Sequence, residues 1–271
     1  MNILSYTFFQ HALLGSLLCS LLCGLVGTYI VTRRLVFISG GITHASFGGI
    51  GIGVYCGLPP ILSAAVFSVL SACGIQWFSR QKDMREDSAI AIFWTLGMSV
   101  GIICSFLTPG FTPELSSYLF GNILTITDTD LWLLGVLAGT AVAAFTLFLR
   151  PLIAVAFDAE FARSQRLPVD AVEYAMMAFI ALTIVACLRV VGIVLVISML
   201  TIPQVTANLF TRNFGRMAAL SAVIGYAGCI GGLLLAFRYN VPSGASIIFV
   251  SILIYLAAKT ATLAFRRRKR Q

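Results

Sequence analysis

The chain has 271 residues, of which 59% are hydrophobic and 10% charged, and its mean hydropathy is +0.98. Soluble domains carry about 25% charged residues, so this composition excludes a water-exposed globular surface and calls for lipid as solvent. The net charge of +8 would suit nucleic acid, but five positive charges (Arg266, Arg267, Arg268, Lys269, Arg270) directly follow an apolar run, where a basic cluster fits the cytoplasmic end of a span.

The first 15 residues lack a basic leader before their apolar stretch, so they read as the lead-in to a permanent span, not a cleavable signal. A membrane helix needs about 20 mostly apolar residues. Nine segments qualify, at approximately 8–31, 41–57, 60–78, 88–108, 131–149, 172–188, 190–209, 217–237 and 243–264. The predicted fold class is therefore all-α, a polytopic membrane protein of about nine helices. The sixth and seventh segments are separated only by Arg189 and a few apolar residues, so a tight reversal or one broken helix, giving eight spans, is the alternative. No polar stretch is long enough for a separate soluble domain, so residues 1–271 read as one membrane domain.

Charge fixes the expected orientation. With the N-terminus outside, the inner loops hold Arg33, Arg34, Arg80, Lys82, Arg85, Arg150, Arg163, Arg166, Arg212 and Arg216, plus the five tail residues. The outer loops hold Arg189 and Arg238, and Lys259 snorkels at the inner end of the last span. Fifteen against two fits the positive-inside rule. The outer loop 109–130 carries Glu114, Asp128 and Asp130 and no Lys or Arg. A basic cytoplasmic tail occupies 265–271.

Within the spans, Gly24 and Gly27 close the first and Gly48, Gly49, Gly51 and Gly53 crowd the second. Small residues let helices approach closely in lipid. A stretch as glycine-dense as 40–53 could also be bent or partly unwound, exposing carbonyls to a pathway. His11 and His44 are the only histidines. His44, at the start of the second span, is a functional candidate because ionisable groups in membranes usually are, and because neutral imidazole is a common transition-metal ligand. His11 reads as an interfacial residue. The seven cysteines (Cys19, Cys23, Cys56, Cys73, Cys104, Cys187, Cys229) are odd in number and scattered, so they read as apolar packing rather than disulfides or a zinc site.

The inner loop at about 150–171 is the longest cytoplasmic polar stretch. Asp158 is placed to cap a short helix with Glu160 in its first turn, Pro168 redirects it, and Phe161 and Leu167 are candidate docking residues. No phosphate-binding GxxxxGK[ST] loop occurs, no Ser-His-Asp set is credible, and no chain of intramembrane carboxylates exists. The chain is thus not expected to be an enzyme or a proton-coupled carrier, and its energy source is expected on another subunit.

The residues resemble one family from end to end: the permeases of ABC importers for zinc, manganese or iron. The stretch from Gly24 to Arg34 is similar to the family's opening. Thr43-His44-Ala45-Ser46 resembles its HAS motif, and Ser117 to Leu124 its YLFG segment. Asp158 to Pro168 resembles its ATPase-coupling loop, and Val191 to Pro203 its VGxLLVxxLLxxP signature. The resemblance implies a homodimer in the bacterial cytoplasmic (inner) membrane, two cytoplasmic ATPase subunits, an external metal-binding protein and alternating access. No permanently bound cofactor is implied; the metal ion is cargo. It implies a pathway at His44, Thr43, Ser46, Met199 and Gln204, with Gly40, Gly41, Gly48 and Gly49 as packing or pathway backbone. It also implies ATPase contacts at Asp158, Glu160, Phe161, Ala162 and Arg163. Two positions depart from the family pattern. Gly40 stands where a carboxylate commonly lies one turn before the histidine, and Arg166 stands where the coupling loop usually has glycine. The latter predicts a different loop ending, since arginine enters the left-handed region less readily. A metal-chelate permease, such as one for a siderophore, and an ATP-independent carrier are the alternatives.

Overall fold

The structure is a computed structural model that describes residues 7–81, 84–109, 123 and 126–268. Among these residues the chain is helical without strands. In order, the helices are α1 (Thr7–Thr32), α2 (Val36–Cys56), α3 (Pro60–Ser79), α4 (Glu86–Leu107), α5 (Asp128–Leu147) and α6 (Leu149–Phe157). There follow α7 (Ala159–Ser164), α8 (Val169–Val191), α9 (Ile193–Met199), α10 (Ile202–Asn208), α11 (Phe214–Tyr239) and α12 (Ser243–Arg268). Eight of them, α1 to α5, α8, α11 and α12, are long and apolar enough to cross a membrane. The YLFG-like segment, apart from Ile123, and the terminal Lys269, Arg270 and Gln271 lie outside the described residues.

The expected seventh span is the segment that differs. Residues 193–208 form two helices of 7 residues each, α9 and α10, instead of one crossing helix. Pro203 causes the break. It has no N–H to give the Met199 carbonyl four residues earlier, and its ring clashes with that carbonyl. The described residues thus hold eight long apolar helices, with a broken apolar segment after α8 in place of a ninth. Gly192 joins α8 to α9 at φ 80°, a left-handed conformation open to glycine.

The chain gathers into two compact units. One is built from α1, α5 and α9 to α12. There α1 packs against α11 and α5, and α10 packs against α11 and α12. A Cβ at Gly24 would lie 2.9 Å from the backbone nitrogen of Ala222, so α1 and α11 touch backbone to backbone. Side-chain acceptors cap two helices: Asn213 Oδ1 accepts from Arg216 N at 3.1 Å, and Asp130 Oδ2 accepts from Thr127 N at 3.1 Å.

The other unit is built from α2 to α4, α6, α7 and most of α8. Its centre is α2, packed on both α3 and α4. A Cβ at Gly48 would lie 2.8 Å from the Gly97 carbonyl oxygen, at Gly49 2.5 Å from the Ser63 carbonyl oxygen, and at Gly51 2.6 Å from the Gly101 carbonyl oxygen. These glycines are tight-packing residues, and α2 runs unbroken through all of them. Of the two readings of 40–53, close packing holds and the unwound alternative does not occur. Gly57, at φ 69°, ends α2 in the left-handed conformation that its residue type allows.

Candidate functional site

His44 is the first residue that the sequence singles out. It lies on α2, half-buried, with its ring stacked on Trp94 of α4 at 4.4 Å between centroids and 5° between planes. His44 Nδ1 is buried and has no hydrogen-bond partner. A buried polar atom in lipid normally finds a partner, so an orphan donor atom marks His44 as a group with free coordinating capacity. Gly40, one turn earlier, is buried, but a Cβ there would meet only Trp94 Cζ3 at 3.9 Å. Trp94 thus lies over the imidazole and beside the open space at Gly40. Gly41 has no such space, since its Cβ would lie 2.5 Å from Ile90 Cγ2.

Thr43 and Ser46 flank His44 but are internally committed. Thr43 Oγ1 donates to the Ser39 carbonyl, and Ser46 Oγ to the Thr43 carbonyl at 2.6 Å. Met199 and Gln204 belong to the unit containing α1. Gln204 is fully buried, and its Nε2 donates to the Cys23 carbonyl at 2.6 Å and to the Met199 carbonyl at 3.1 Å. The second bond replaces the one that Pro203 cannot give. Gln204 therefore heals the helix break, and only its buried Oε1 lacks a partner. Gly27 makes room for this, because a Cβ there would lie 2.5 Å from Gln204 Nε2. No cluster of three or more His, Cys, Asp or Glu able to hold a metal is found among the described residues.

The coupling segment folds as its sequence suggests. Asp158 caps α7, its Oδ1 accepting from Phe161 N at 2.9 Å. Glu160, in the first turn, pairs with Arg163 at 3.0 Å. Phe161 is 56% exposed. Ala162, by contrast, is fully buried with Val155 and Val169, and Leu167 packs against that cluster. Ala162 and Leu167 therefore hold α7 down, with Ala162 turned inward against α6 and α8 and Leu167 half-buried beside it.

The expectation for Arg166 is corrected. It takes φ 58°, the left-handed conformation, despite being arginine. Its N–H donates to the Arg163 carbonyl at 2.9 Å, and Leu167 N–H to the Ala162 carbonyl at 3.1 Å. These two bonds and the Leu167–Ala162 contact complete a Schellman ending. Three satisfied interactions outweigh the backbone preference of one residue.

The ABC 3 transport family model matches residues 5–262. The chain belongs to the ABC 3 transport family. It is 41% identical over 264 residues to an uncharacterised membrane protein of Synechocystis, covering 97% of this chain and 92% of that protein. It is 34% identical over 257 residues to the manganese transport system membrane protein MntC of Halalkalibacterium halodurans, covering 95% and 88%. Among solved structures it matches a chain of PsaBC from Streptococcus pneumoniae in complex with Fab, at TM-score 0.84 and 27% identity over 95% of this chain and 92% of that one. With eight apolar helices, this ABC 3 chain is a multi-pass protein of the bacterial inner membrane and a transport permease.

Sequence reasoning missed two parts of this permease. One is Trp94, which could be linked to His44 only through the α2–α4 packing. The other is a charge network around Glu173. Its side chain is 8% exposed, and its Oε1 accepts from Arg33 Nη2. Its Oε2 accepts from Arg80 Nη2 at 2.7 Å and Gln76 Nε2 at 2.8 Å. Burial disfavours the Arg80 cation, but hydrogen bonds to Glu173 and Asp170 outweigh it and hold its pKa above the ordinary arginine value. A signal existed: Glu173 starts an apolar run, and Gln76 and Arg80 share a helix face at i,i+4.

Proposed function

We propose that the chain is the membrane permease of an ABC importer for a divalent transition-metal ion. It would act as a homodimer with two cytoplasmic ATPase subunits and an external metal-binding protein, with its N-terminus outside. The observation that carries this reading is the near full-length similarity to a manganese transport system membrane protein, at 34% identity. His44 supports it from the site itself, through a buried imidazole nitrogen left without a partner. Manganese is the cargo named for the relatives. Zinc and iron(II) are the other candidates, and imidazole ligation suits them as well.

In this reading α7 meets the ATPase through Phe161, Glu160 and Arg163, which are exposed. ATP binding acts only through its different affinities for the two access states. His44 supplies a neutral donor that a passing cation can exchange, without a carboxylate at Gly40 to hold it tightly.

The test is uptake of radiolabelled manganese, zinc and iron(II) by cells expressing the permease with its ATPase. His44→Ala is expected to lower uptake at least about tenfold, the scale of losing a ligand's contribution, while membrane insertion stays normal. Wild-type uptake by that variant would remove His44 from the pathway. Uptake of a metal chelate in preference to the free ion would favour a chelate permease.

A further inference from the structure

We propose that Glu173 is a positioning residue that ties the ATPase-facing helix α7 to the helices carrying the transport site, so that its removal uncouples ATP hydrolysis from metal movement. This rests on the reading of the chain as an ATP-driven permease.

The network joins four elements of one unit through two carboxylates at the start of α8. Glu173 takes Arg33, three residues before α2 begins, and both Gln76 and Arg80 at the end of α3. Arg80 Nη2 also lies 2.8 Å from Asp170 Oδ1, one turn before Glu173. Asp170 in turn accepts from Arg163 of α7 at 3.1 Å. A further contact closes the frame from α6, where Arg33 Nη1 donates to the Val155 carbonyl at 3.0 Å. The path from α7 to the start of α2 thus runs Arg163, Asp170, Arg80, Glu173, Arg33, and His44 lies on that same α2. Glu86, at the start of α4, also faces Arg33 and Glu173 electrostatically.

Stability alone does not account for this arrangement. Desolvating a carboxylate and two guanidinium groups cancels much of their attraction, and buried ion pairs replaced whole by apolar residues often cost nothing. What a buried, fully bonded network does supply is a single geometry, since planar guanidinium forks and a two-oxygen acceptor fit in few ways. Each oxygen of Glu173 is engaged by a different element, and no neutral side chain of its shape would hold two arginines at once.

The test uses the full chain co-expressed with its ATPase and reconstituted in proteoliposomes, with manganese as probe. Glu173→Gln keeps the shape and drops the charge. ATP hydrolysis is expected to stay within about twofold of wild type, while manganese moved per ATP falls about tenfold, inside the range of roughly 5–150-fold typical of coupling between sites. Backbone amide exchange across 158–166 is expected to quicken in the same variant, because α7 loses its tether. Asp170→Asn, at a 63% exposed side chain that bridges Arg80 and Arg163, should give a smaller loss of roughly threefold, the scale of a partly exposed pair, and it decides the matter where Glu173→Gln does not fold. Manganese per ATP unchanged in a folded variant overturns the proposal. So do hydrolysis and transport falling together in step with a lower melting temperature, the signature of a merely structural pair. Wild-type liposomes that hydrolyse ATP and move no metal would instead overturn the permease reading on which the proposal stands.

Discussion

Gly40 and Gly41 are adjacent and both buried in α2, yet the structure gives them opposite surroundings. Replacing glycine by alanine inside a helix removes unfolded-chain freedom worth about 0.5–1 kcal/mol. At Gly40 the added methyl meets only Trp94 at 3.9 Å, ordinary contact, so Gly40→Ala should keep that whole gain. At Gly41 it lies 2.5 Å from Ile90 Cγ2, on a β-branched side chain with little rotamer freedom. Overpacking of this kind costs about 1–3 kcal/mol, so Gly41→Ala should range from neutral to about 2.5 kcal/mol destabilised. Thermal unfolding of the detergent-purified chain reads the difference, at about 2–4 °C per kcal/mol for a protein somewhat smaller than this. The functional arm is Gly40→Asp. It sets a carboxylate one turn before His44, a spacing at which side chains meet, in space that the structure leaves open. A hard oxygen ligand favours manganese over zinc, so manganese uptake in competition with zinc should rise about tenfold, or 1.4 kcal/mol, while Gly41→Asp should fail to fold or to transport. Equal destabilisation by Gly40→Ala and Gly41→Ala would refute the geometry. An unchanged manganese-to-zinc preference in a folded Gly40→Asp variant would refute a place for His44 on the ion's path.

Two further outcomes follow from backbone groups. Gln204→Leu leaves the Met199 carbonyl, which Pro203 cannot serve, without a donor in an apolar setting, so it should destabilise the chain by about 1–3 kcal/mol, read as a lower thermal midpoint; no change would mean that the break is healed otherwise. Arg166→Gly relieves a non-glycine residue of φ 58°, a cost of roughly 1–2 kcal/mol, against glycine's entropy loss of about 0.5–1 kcal/mol. It should therefore be neutral to stabilising by about 1.5 kcal/mol, with slower exchange of the α7 amides, and marked destabilisation would contradict the Schellman ending.

Much of the architecture was legible because lipid imposes a simple rule: long apolar segments become helices. Seven of the nine expected spans match long helices within a few residues, and the 41–57 segment matches once α2 is extended back to Val36. The cap at Asp158 was legible because a short acceptor before a helix has one local use. Glu173 was not legible as a hub, because its partners Arg33, Gln76 and Arg80 lie 140, 97 and 93 residues away, and no local pattern carries that pairing. Trp94 was hidden for the same reason. The inward face of α7 at Ala162 was not legible because a six-residue helix is too short to show which side turns inward until α6 and α8 close over it.

The two segments where unwinding was at issue turned out in opposite ways, and one comparison of magnitudes explains both. Glycine in a helix costs up to about 1 kcal/mol, whereas a peptide group left unbonded in lipid costs several. A glycine-rich segment in a membrane therefore stays helical, since unwinding would forfeit more than glycine loses. Gly48, Gly49 and Gly51 accordingly serve packing, each pressed on a neighbouring backbone. Proline differs in kind, because it has already lost its N–H and the helix has nothing left to protect at that bond. The break falls just before Pro203, at residues 200–201, and the carbonyl that proline abandons, Met199, is taken up by the side chain of the next residue, Gln204. Inside a bilayer, then, a glycine-dense stretch marks where helices approach, and a proline followed by an amide side chain marks where one breaks.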